Sequence, residues 1–499
     1  MSQPTSPSTN PSTGHSTLGD LFPEAEAALA AKSVAGLTAD SRRVVPGGVF
    51  VAVPGTSADG RLFAAAAARA GALAVAGEGT RPDDLPEATA WIAVADARRA
   101  LALAAARRAG RQPETVVAVT GTSGKSSVAD FVRQILSRLG RDAASLGTVG
   151  IVTNRGAAYG SLTTPDPVTL HETLARLAQE GITDLAMEAS SHGIEQRRLD
   201  GVDLTAAAFT NLGRDHLDYH PTIEDYLEAK LRLFTTLLPK GRPAIVNADG
   251  AYAERVIGAA DAAGHTIRST GRGGTFIRLV EAGTDGFSQG LTLVHEDREY
   301  RVRLPLVGGF QVENALVAAG LALSTPAGAA DPAGVFTALE GLTGVPGRME
   351  RIGEANGGLC LVDYAHKPEA LEHVLAALRP FASGRLVVVF GCGGNRDAGK
   401  RPIMGAIAQR LADRTIVTDD NPRNEEPAAI RAAILAAAPG AEEIGDRAEA
   451  IRAGVRDLRP GDVLVVAGKG HETGQIVGPR VLPFSDHETL RAAIAEVNG

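Results

Sequence analysis

The chain has 499 residues, 44% of them hydrophobic, and a formal net charge of −8. At roughly 100–200 residues per domain this predicts two to four domains rather than one. The acidic balance excludes the basic surface that nonspecific nucleic-acid binding needs, but leaves room for a local site that takes an anionic small molecule.

Cys360 and Cys392 are the only cysteines, which is neither a disulfide framework nor a zinc spacing and suits a reducing compartment. No run approaches the roughly 18 apolar residues of a membrane span. Residues 1–17 are rich in Ser, Thr and Pro and lack the basic and apolar regions of a signal peptide, so a disordered tail on a soluble, cytoplasmic protein is expected.

Composition divides the rest into three regions: 18–112, 113–343 and 344–499. In the first, short apolar runs such as 48–53 alternate with Ala-rich stretches at 62–76 and 98–108 that read as helices. Gln112-Pro113-Glu114 is a linker signal. The second opens with the apolar run 115–119, followed by Thr120 and then Gly121, Thr122, Ser123, Gly124, Lys125, Ser126 and Ser127. Behind them Val128, Phe131, Val132, Ile135, Leu136 and Leu139 share one helical face. Strand, glycine loop, lysine and helix together suit a nucleotide triphosphate. The backbone N–H groups wrap the phosphates, Lys125 reaches the terminal ones and the Ser126 hydroxyl suits Mg²⁺. Val119 stands where the usual first glycine would fall, and the alternative is an ordinary glycine turn.

A second strand, 184–188, ends in Glu188, placed to hold Mg²⁺ beside the loop. The segment 211–220, NLGRDHLDYH, brings His216 and His220 together with Asp215 and Asp218, as a functional cluster or as a solvated turn. Lys230 lies on a predicted helix over 223–238, and composition alone makes it an exposed helical lysine. The last region repeats a unit of apolar run and polar loop: 385–390 then GCGGNRD, 415–418 then DDNPR, 462–466 then AGKGHE. Parallel strands with crossover helices gather such loops at one sheet edge, facing one cleft.

TGTSGKSS, EASSHG, NLGRDHLDYH, AKLRLF, GVPGRME, VDYAHKPEAL and GCGGNRDAGKRP in this order resemble the Mur ligase family, from about Asp40 onward. The resemblance implies an α/β protein of three domains. These are an N-terminal UDP-substrate-binding domain, a central P-loop ATPase-type parallel sheet and a C-terminal Rossmann-like domain that closes on an amino acid. It implies ATP and Mg²⁺ as cofactors, small-molecule substrates, no nucleic-acid or membrane partner, and a monomer. Lys230 matches the lysine that the family carbamylates (N6-carboxylysine), which gives an anionic metal ligand beside Ser126, Glu188 and His216. Lys125, Lys230, His216 and Glu188 are the implied catalytic set. Asn314, Arg348 and Asp363 match ATP-holding positions, with His366 in the same loop as Asp363. Ser41 matches a uridine contact, and Thr56, Ser57 and Ala58 match the loop near the uracil. Thr163, Thr164, Ser190, Gln196 and Arg198 match residues that hold a UDP-linked muramoyl dipeptide. Read without the family, Thr163-Thr164-Pro165 is a turn with Pro165 opening a helix.

DDNPR and AGKGHE resemble the family member that adds meso-diaminopimelate to the D-glutamyl carboxylate of UDP-N-acetylmuramoyl-L-alanyl-D-glutamate. Arg396, Asp420, Asn421, Pro422, Arg423, Gly468 and Glu472 are then the implied amino-acid contacts. Arg423 pairs with the side-chain carboxylate that distinguishes diaminopimelate from L-lysine, because guanidinium binds carboxylate in a two-bond fork. The alternatives are the same ligase using L-lysine, a folylpolyglutamate-like ligase, or a non-catalytic nucleotide-binding regulator.

Overall fold

The structure, a computed structural model, describes residues 16–55, 58–158, 162–213, 215–216 and 219–499. Thr56 and Ser57 of the expected uracil loop, Asp218 of the His-rich segment and residues 1–15 of the expected tail lie outside the described residues. Internal contacts divide the chain into two units. One is Met1–Lys125, Gly140–Val246 and Ala251–Ile267; the other is Ser126–Leu139, Asn247–Gly250 and Arg268–Gly499.

The first unit begins with a parallel sheet in the order β1 (Leu37–Thr38), β2 (Val49–Ala52), β3 (Ala74–Gly77) and β4 (Ala90–Ala93). The helix Ala97–Ala109 covers it. Asp96 caps that helix by accepting from Arg99 N–H at 2.9 Å, and Gly110 at φ 70° ends it. Leu18, Leu21, Phe22, Val49, Val51, Ile92 and Leu101 fill the core between them. The Ala-rich stretch 62–76 is not one helix. After a 3₁₀ turn at Gly60–Phe63 the α-helix runs only over Ala64–Arg69, and residues 74–77 form β3. Gly71 at φ +92° breaks it, a conformation the helix cannot continue.

The same unit then builds a doubly covered sheet in the order β11 (Pro243–Asn247), β10 (Ala206–Phe209), β5 (Thr115–Thr120), β9 (Asp184–Glu188), β6 (Ala143–Gly147), β7 (Gly150–Thr153), β8 (Gly156–Ala158). The pairings from β11 to β6 are parallel and those of β7 antiparallel. β5, β9 and β10 are buried at every position, which is why their interiors are apolar rather than alternating, with polar residues only at the ends of β5 and β9. The carboxyl ends of β5 and β9 deliver the glycine loop and Glu188 to one edge.

The helix Lys125–Arg138, in the second unit from Ser126 onward, buries the expected apolar face, with Val128, Phe131, Val132, Ile135 and Leu136 at 0–1% exposure. Gln134 clasps Thr343 by donating to its carbonyl and accepting from its N–H, both at 2.9 Å. β12 (Thr266–Gly271) leads into an antiparallel meander of β13 (Ile277–Asp285), β14 (Ser288–His295) and β15 (Arg298–Leu304). A further sheet runs β16 (Glu350–Ala355), β17 (Gly358–Asp363), β21 (Val463–Ala467), β18 (Leu386–Phe390), β19 (Arg414–Val417), β20 (Glu442–Glu443), parallel except for β16 against β17. A hairpin of β22 (Gly474–Val477) and β23 (Arg480–Pro483) follows. The fold class is α/β with parallel sheets, as the alternating pattern implied. No helix among the described residues is long and apolar enough to cross a membrane.

Candidate functional site

Within the first unit the glycine loop is clasped by the segment after β10. Thr122 N–H donates to the Asn211 carbonyl at 2.9 Å and Ser123 N–H to Asn211 Oδ1 at 3.0 Å. Thr210 Oγ1 donates to the Ser123 carbonyl at 2.7 Å, and Gly213 N–H to Thr122 Oγ1 at 2.9 Å. Gly121, at φ +148°, has no room for a side chain: a Cβ there would lie 1.9 Å from Thr210 Oγ1. Lys125 Nζ donates to the Gly121 and Thr122 carbonyls at 3.0 and 2.8 Å.

Lys230 converges on the same place. Its Nζ donates to the Gly121 carbonyl at 2.7 Å and lies 4.1 Å from the Tyr226 ring centroid. The expectation of an exposed helical lysine is therefore corrected: Lys230 is 1% exposed. It shares a helix face with buried Tyr226, Leu227 and Leu231 on Ile223–Arg232, after which the helix widens into a π turn at Leu233–Leu237. Burial first, and then the charge of Lys125, push its pKa well below the ordinary lysine value, against the pull of Asp215. Two amines on one carbonyl, one of them driven toward neutrality, mark a place that calls for negative charge.

Glu188 is buried at the end of β9. Its Oε1 accepts from Thr148 N–H at 2.7 Å and its Oε2 from Thr148 Oγ1 at 3.2 Å. Thr148 Oγ1 also meets Thr163 Oγ1 at 3.0 Å. Thr164 Oγ1 donates to the Glu188 carbonyl at 3.1 Å and meets Ser190 Oγ at 3.0 Å. Arg198 donates to the Thr164 carbonyl at 2.6 Å and to Gln196 Oε1 at 2.7 Å, while Gln196 Nε2 donates to the Tyr219 hydroxyl at 3.2 Å. Thr163, Thr164, Ser190, Gln196 and Arg198 thus form one bonded string leading from Glu188. Gln196 and Tyr219 also border a cavity of about 410 Å³ with Asp96, Arg98 and Arg197. Pro165 does not open the next helix; Pro167 does, with Asp166 as its cap. Ser41 sits in a 3₁₀ turn, Ser41–Arg43, capped by Asp40 beside β1.

His216 takes a left-handed backbone, φ 53°, and its ring lies 5.0 Å from that of His192 and 6.0 Å from that of Tyr226. His220 is buried, 5.1 Å from the Tyr226 ring, and burial lowers its pKa. Among the described residues, no three His, Cys, Asp or Glu side chains gather as a metal site. Glu188 and His216 are the members of the implied set from those residue types, and the remaining ligands would be oxygens from Ser126 and a modified Lys230. Ser126 lies in the first turn of Lys125–Arg138.

Within the second unit, the loops after β18, β19 and β21 interlock. Gly394 N–H donates to the Asn421 carbonyl at 2.9 Å, and Gly468 N–H to the Asp363 carbonyl at 3.1 Å. Asp363 itself accepts from Met349 and Ala365 N–H at 2.7 Å each, and burial raises its pKa. This pins the turn carrying Arg348, whose guanidinium lies 5.2 Å from the Tyr364 ring. Asn314 is buried on the helix Gly309–Ala322 and donates to Gln311 Oε1 at 3.0 Å. His366 accepts Lys400 at its carbonyl, 2.6 Å away.

Arg423, at φ 52°, holds its guanidinium against the Gly394 carbonyl at 2.9 Å. Both Arg423 and Arg396 approach the bare Cα face of Gly393; Arg396 is exposed. Pro422 is buried between Asn421 and Arg423. Asp420 is buried, which raises its pKa despite Arg447 and Lys469 nearby. Gly468, at φ +118°, has its Cα against Asp420, where a Cβ would meet Oδ2 at 2.8 Å. Asn421 Nδ2 donates to Glu472 Oε2 at 3.0 Å.

Sequence reasoning missed Gly147, Thr148, Thr210, Asn211, Tyr226 and Lys469. Gly147 closes the strand Ala143–Gly147, and a glycine at the carboxyl end of a parallel strand, where ligands gather, was the available signal. A Cβ on Gly147 would lie 2.0 Å from Glu188 Oε1.

Three family models match parts of the chain. The Mur ligase family catalytic domain matches residues 33–109, the Mur ligase middle domain 119–322, and the Mur ligase glutamate ligase domain 347–470. A protein of Bradyrhizobium diazoefficiens named UDP-N-acetylmuramoyl-L-alanyl-D-glutamate–2,6-diaminopimelate ligase is 58% identical over 474 residues, 94% of this chain and 96% of that one. One of the same name from Agrobacterium fabrum is 55% identical, covering 96% and 98%. A solved structure of a ligase of that name superposes with a TM-score of 0.76 at 34% identity, over 97% of this chain and 100% of the other. The chain belongs to the Mur ligase family.

Proposed function

We propose that this chain is the ATP-dependent ligase that joins meso-diaminopimelate to the D-glutamyl carboxylate of UDP-N-acetylmuramoyl-L-alanyl-D-glutamate, a step of peptidoglycan precursor synthesis. The supporting observation is the convergence of Lys125 and Lys230 on the Gly121 carbonyl of a phosphate-type loop, joined to relatives that carry this activity in their names. The division into a UDP-substrate part (18–112), a nucleotide part (113–343) and an amino-acid part (344–499) belongs to the same reading.

A carboxylate cannot acylate an amine directly, because oxide is a poor leaving group. Here a carboxylate oxygen attacks the γ-phosphorus of ATP and ADP departs, giving an acyl phosphate. The amine then attacks the acyl carbon, phosphate leaves, and the amine nitrogen loses a proton. Phosphoryl transfer rests on positioning and charge neutralisation. The glycine loop, shaped by the Thr122 and Ser123 N–H bonds to Asn211, and the Lys125 ammonium supply both. The string from Thr163 to Arg198 holds the peptide carboxylate end near Glu188. Asn314, Arg348 and Asp363 hold the nucleotide.

Mg²⁺ prefers oxygen ligands, and the oxygen donors among the matched residues fit it. Glu188 is a buried carboxylate fixed by Thr148 and Ser126 would supply a hydroxyl, while His216, by its family match, would add a ring nitrogen outside the oxygen set. Lys230 is an amine that burial drives toward its neutral form, the form that adds CO₂ and releases a proton to become a carbamate. When bound, the metal neutralises phosphate charge. In the second unit, Arg423 and Arg396 meet the distal carboxylate of diaminopimelate, with Asp420, Asn421, Pro422, Gly468 and Glu472 around the rest. A site built for that carboxylate discriminates against a ligand lacking it by roughly 10⁴–10⁵.

The test is an amino-acid panel in a phosphate-release assay with ATP, Mg²⁺ and the UDP-muramoyl dipeptide. Release with diaminopimelate and not with L-lysine is expected. Release with L-lysine alone overturns the substrate, and turnover of a folate in place of the dipeptide overturns the reaction.

A further inference from the structure

The AGKGHE loop contains a lysine that neither the mechanism nor the assigned contacts use. Lys469 is 0% exposed, one of the largest fully buried side chains in the molecule. It is delivered inward by glycines on both sides. Gly468 and Gly470 stand at φ +118° and +52°, and a Cβ on Gly470 would lie 2.8 Å from Tyr364 Cβ. The loop is folded to bring this amine under its own surface.

There Nζ donates to Glu472 Oε2 at 3.0 Å and to Asn421 Oδ1 at 3.1 Å, with Asp420 Oδ1 at 3.8 Å. Asn421 Oδ1 also accepts from Ile476 N–H at 2.9 Å, so its oxygen faces two donors and its Nδ2 is turned toward Glu472. Lys469 and Asn421 therefore bind the same carboxylate oxygen of Glu472. That carboxylate still shows 35% of its side-chain surface, whereas the lysine shows none. A wholly buried cation sits behind a half-exposed anion and pins its inner oxygen. Burial acts to raise the Glu472 pKa, but the Asn421 bond and the Lys469 charge outweigh it and hold the carboxyl below its ordinary value. A carboxylate kept ionised and fixed at a loop surface is suited to receive an ammonium group.

We propose that Lys469 is a positioning residue for the amino-acid substrate: together with Asn421 it orients Glu472 so that this carboxylate takes the substrate's ammonium group, without touching that substrate itself. The proposal rests on the assignment of these loops to diaminopimelate.

Steady-state kinetics of Lys469→Met, Glu472→Gln and the double variant test it. If Lys469 acts through Glu472, Lys469→Met raises KM for diaminopimelate tenfold or more, while KM for ATP and for the UDP-muramoyl dipeptide stays within twofold. In the Glu472→Gln background the same substitution adds less than threefold, because the group it positions has been neutralised. An unchanged KM for diaminopimelate overturns the proposal, as does a parallel loss on all three substrates or a fully additive double variant. Should Lys469→Met alone fail to fold, the double variant, which removes both members of the Lys469–Glu472 pair, is compared with Glu472→Gln directly. An equal KM supports positioning and a further tenfold rise contradicts it. Wild-type protein inactive with diaminopimelate would contradict the substrate assignment and the proposal together, whereas active wild type with an unaltered Lys469→Met contradicts the proposal alone.

Discussion

Gly147 has no side chain because Glu188 fills the space where a Cβ would be, 2.0 Å from Oε1. Gly147→Ala must displace that carboxylate. Misplacement of a site group by about 1 Å can cost 10²-fold in rate, so turnover should fall about 100-fold while circular dichroism stays that of the native fold. Lys230→Ala removes the amine that donates to the Gly121 carbonyl. Its activity should be nearly abolished, and added short carboxylates should partly restore it by standing in for a carbamate; near-normal turnover without them would contradict that role. The thiols behave oppositely to a reactive site. Burial pushes Cys360 up to about 12 and Cys392 up to about 11. Raised values mean that the folded chain keeps protons the unfolded chain releases. The thiols' contribution to stability is present below the ordinary thiol value and is lost as pH rises toward 11–12. At pH 8 neither thiol should react with an aromatic disulfide reagent until urea is added.

Among the elements, the helices Arg447–Arg456 and Asp486–Asn498 are joined by a wholly buried ion pair, with Arg447 Nε and Nη2 each 2.7 Å from an Asp486 oxygen. Removing one partner of such a pair strands the other. Arg447→Met should cost about 3–5 kcal/mol in urea unfolding, and Arg447→Met/Asp486→Leu should recover most of it. The strands were legible as elements. The buried ones at 115–120, 184–188, 386–390 and 463–467 have apolar interiors, as strands buried on both faces must, with polar residues only at the ends of the first two. The stretch 62–76 misled because alanine favours helix wherever it stands, while the turn at Gly71 and pairing with β2 decide the outcome. The meander Ile277–Leu304 carried no chemistry-bearing motif by which to notice it.

For the molecule as a whole, the phosphate loop and the three polar loops of the last sheet were readable because their chemistry demands glycines and charges at strand ends. The groups that hold them were not. Thr148 supports Glu188 across 40 residues and Lys469 supports Asn421 across 48, distances at which no local spacing carries a signal. Lys230 looked exposed because the Gly121 carbonyl that it binds lies 109 residues away; Tyr226, one helical turn before it, was the local sign of an inward face. The account's central claim is chemical: the peptide carboxylate becomes an acyl phosphate before the amine attacks. It is tested most directly with UDP-muramoyl dipeptide carrying ¹⁸O in the D-glutamyl carboxylate, incubated with ATP, Mg²⁺ and diaminopimelate. One ¹⁸O in the released phosphate, with its loss from the amide product, is the predicted result; phosphate free of label would contradict the account.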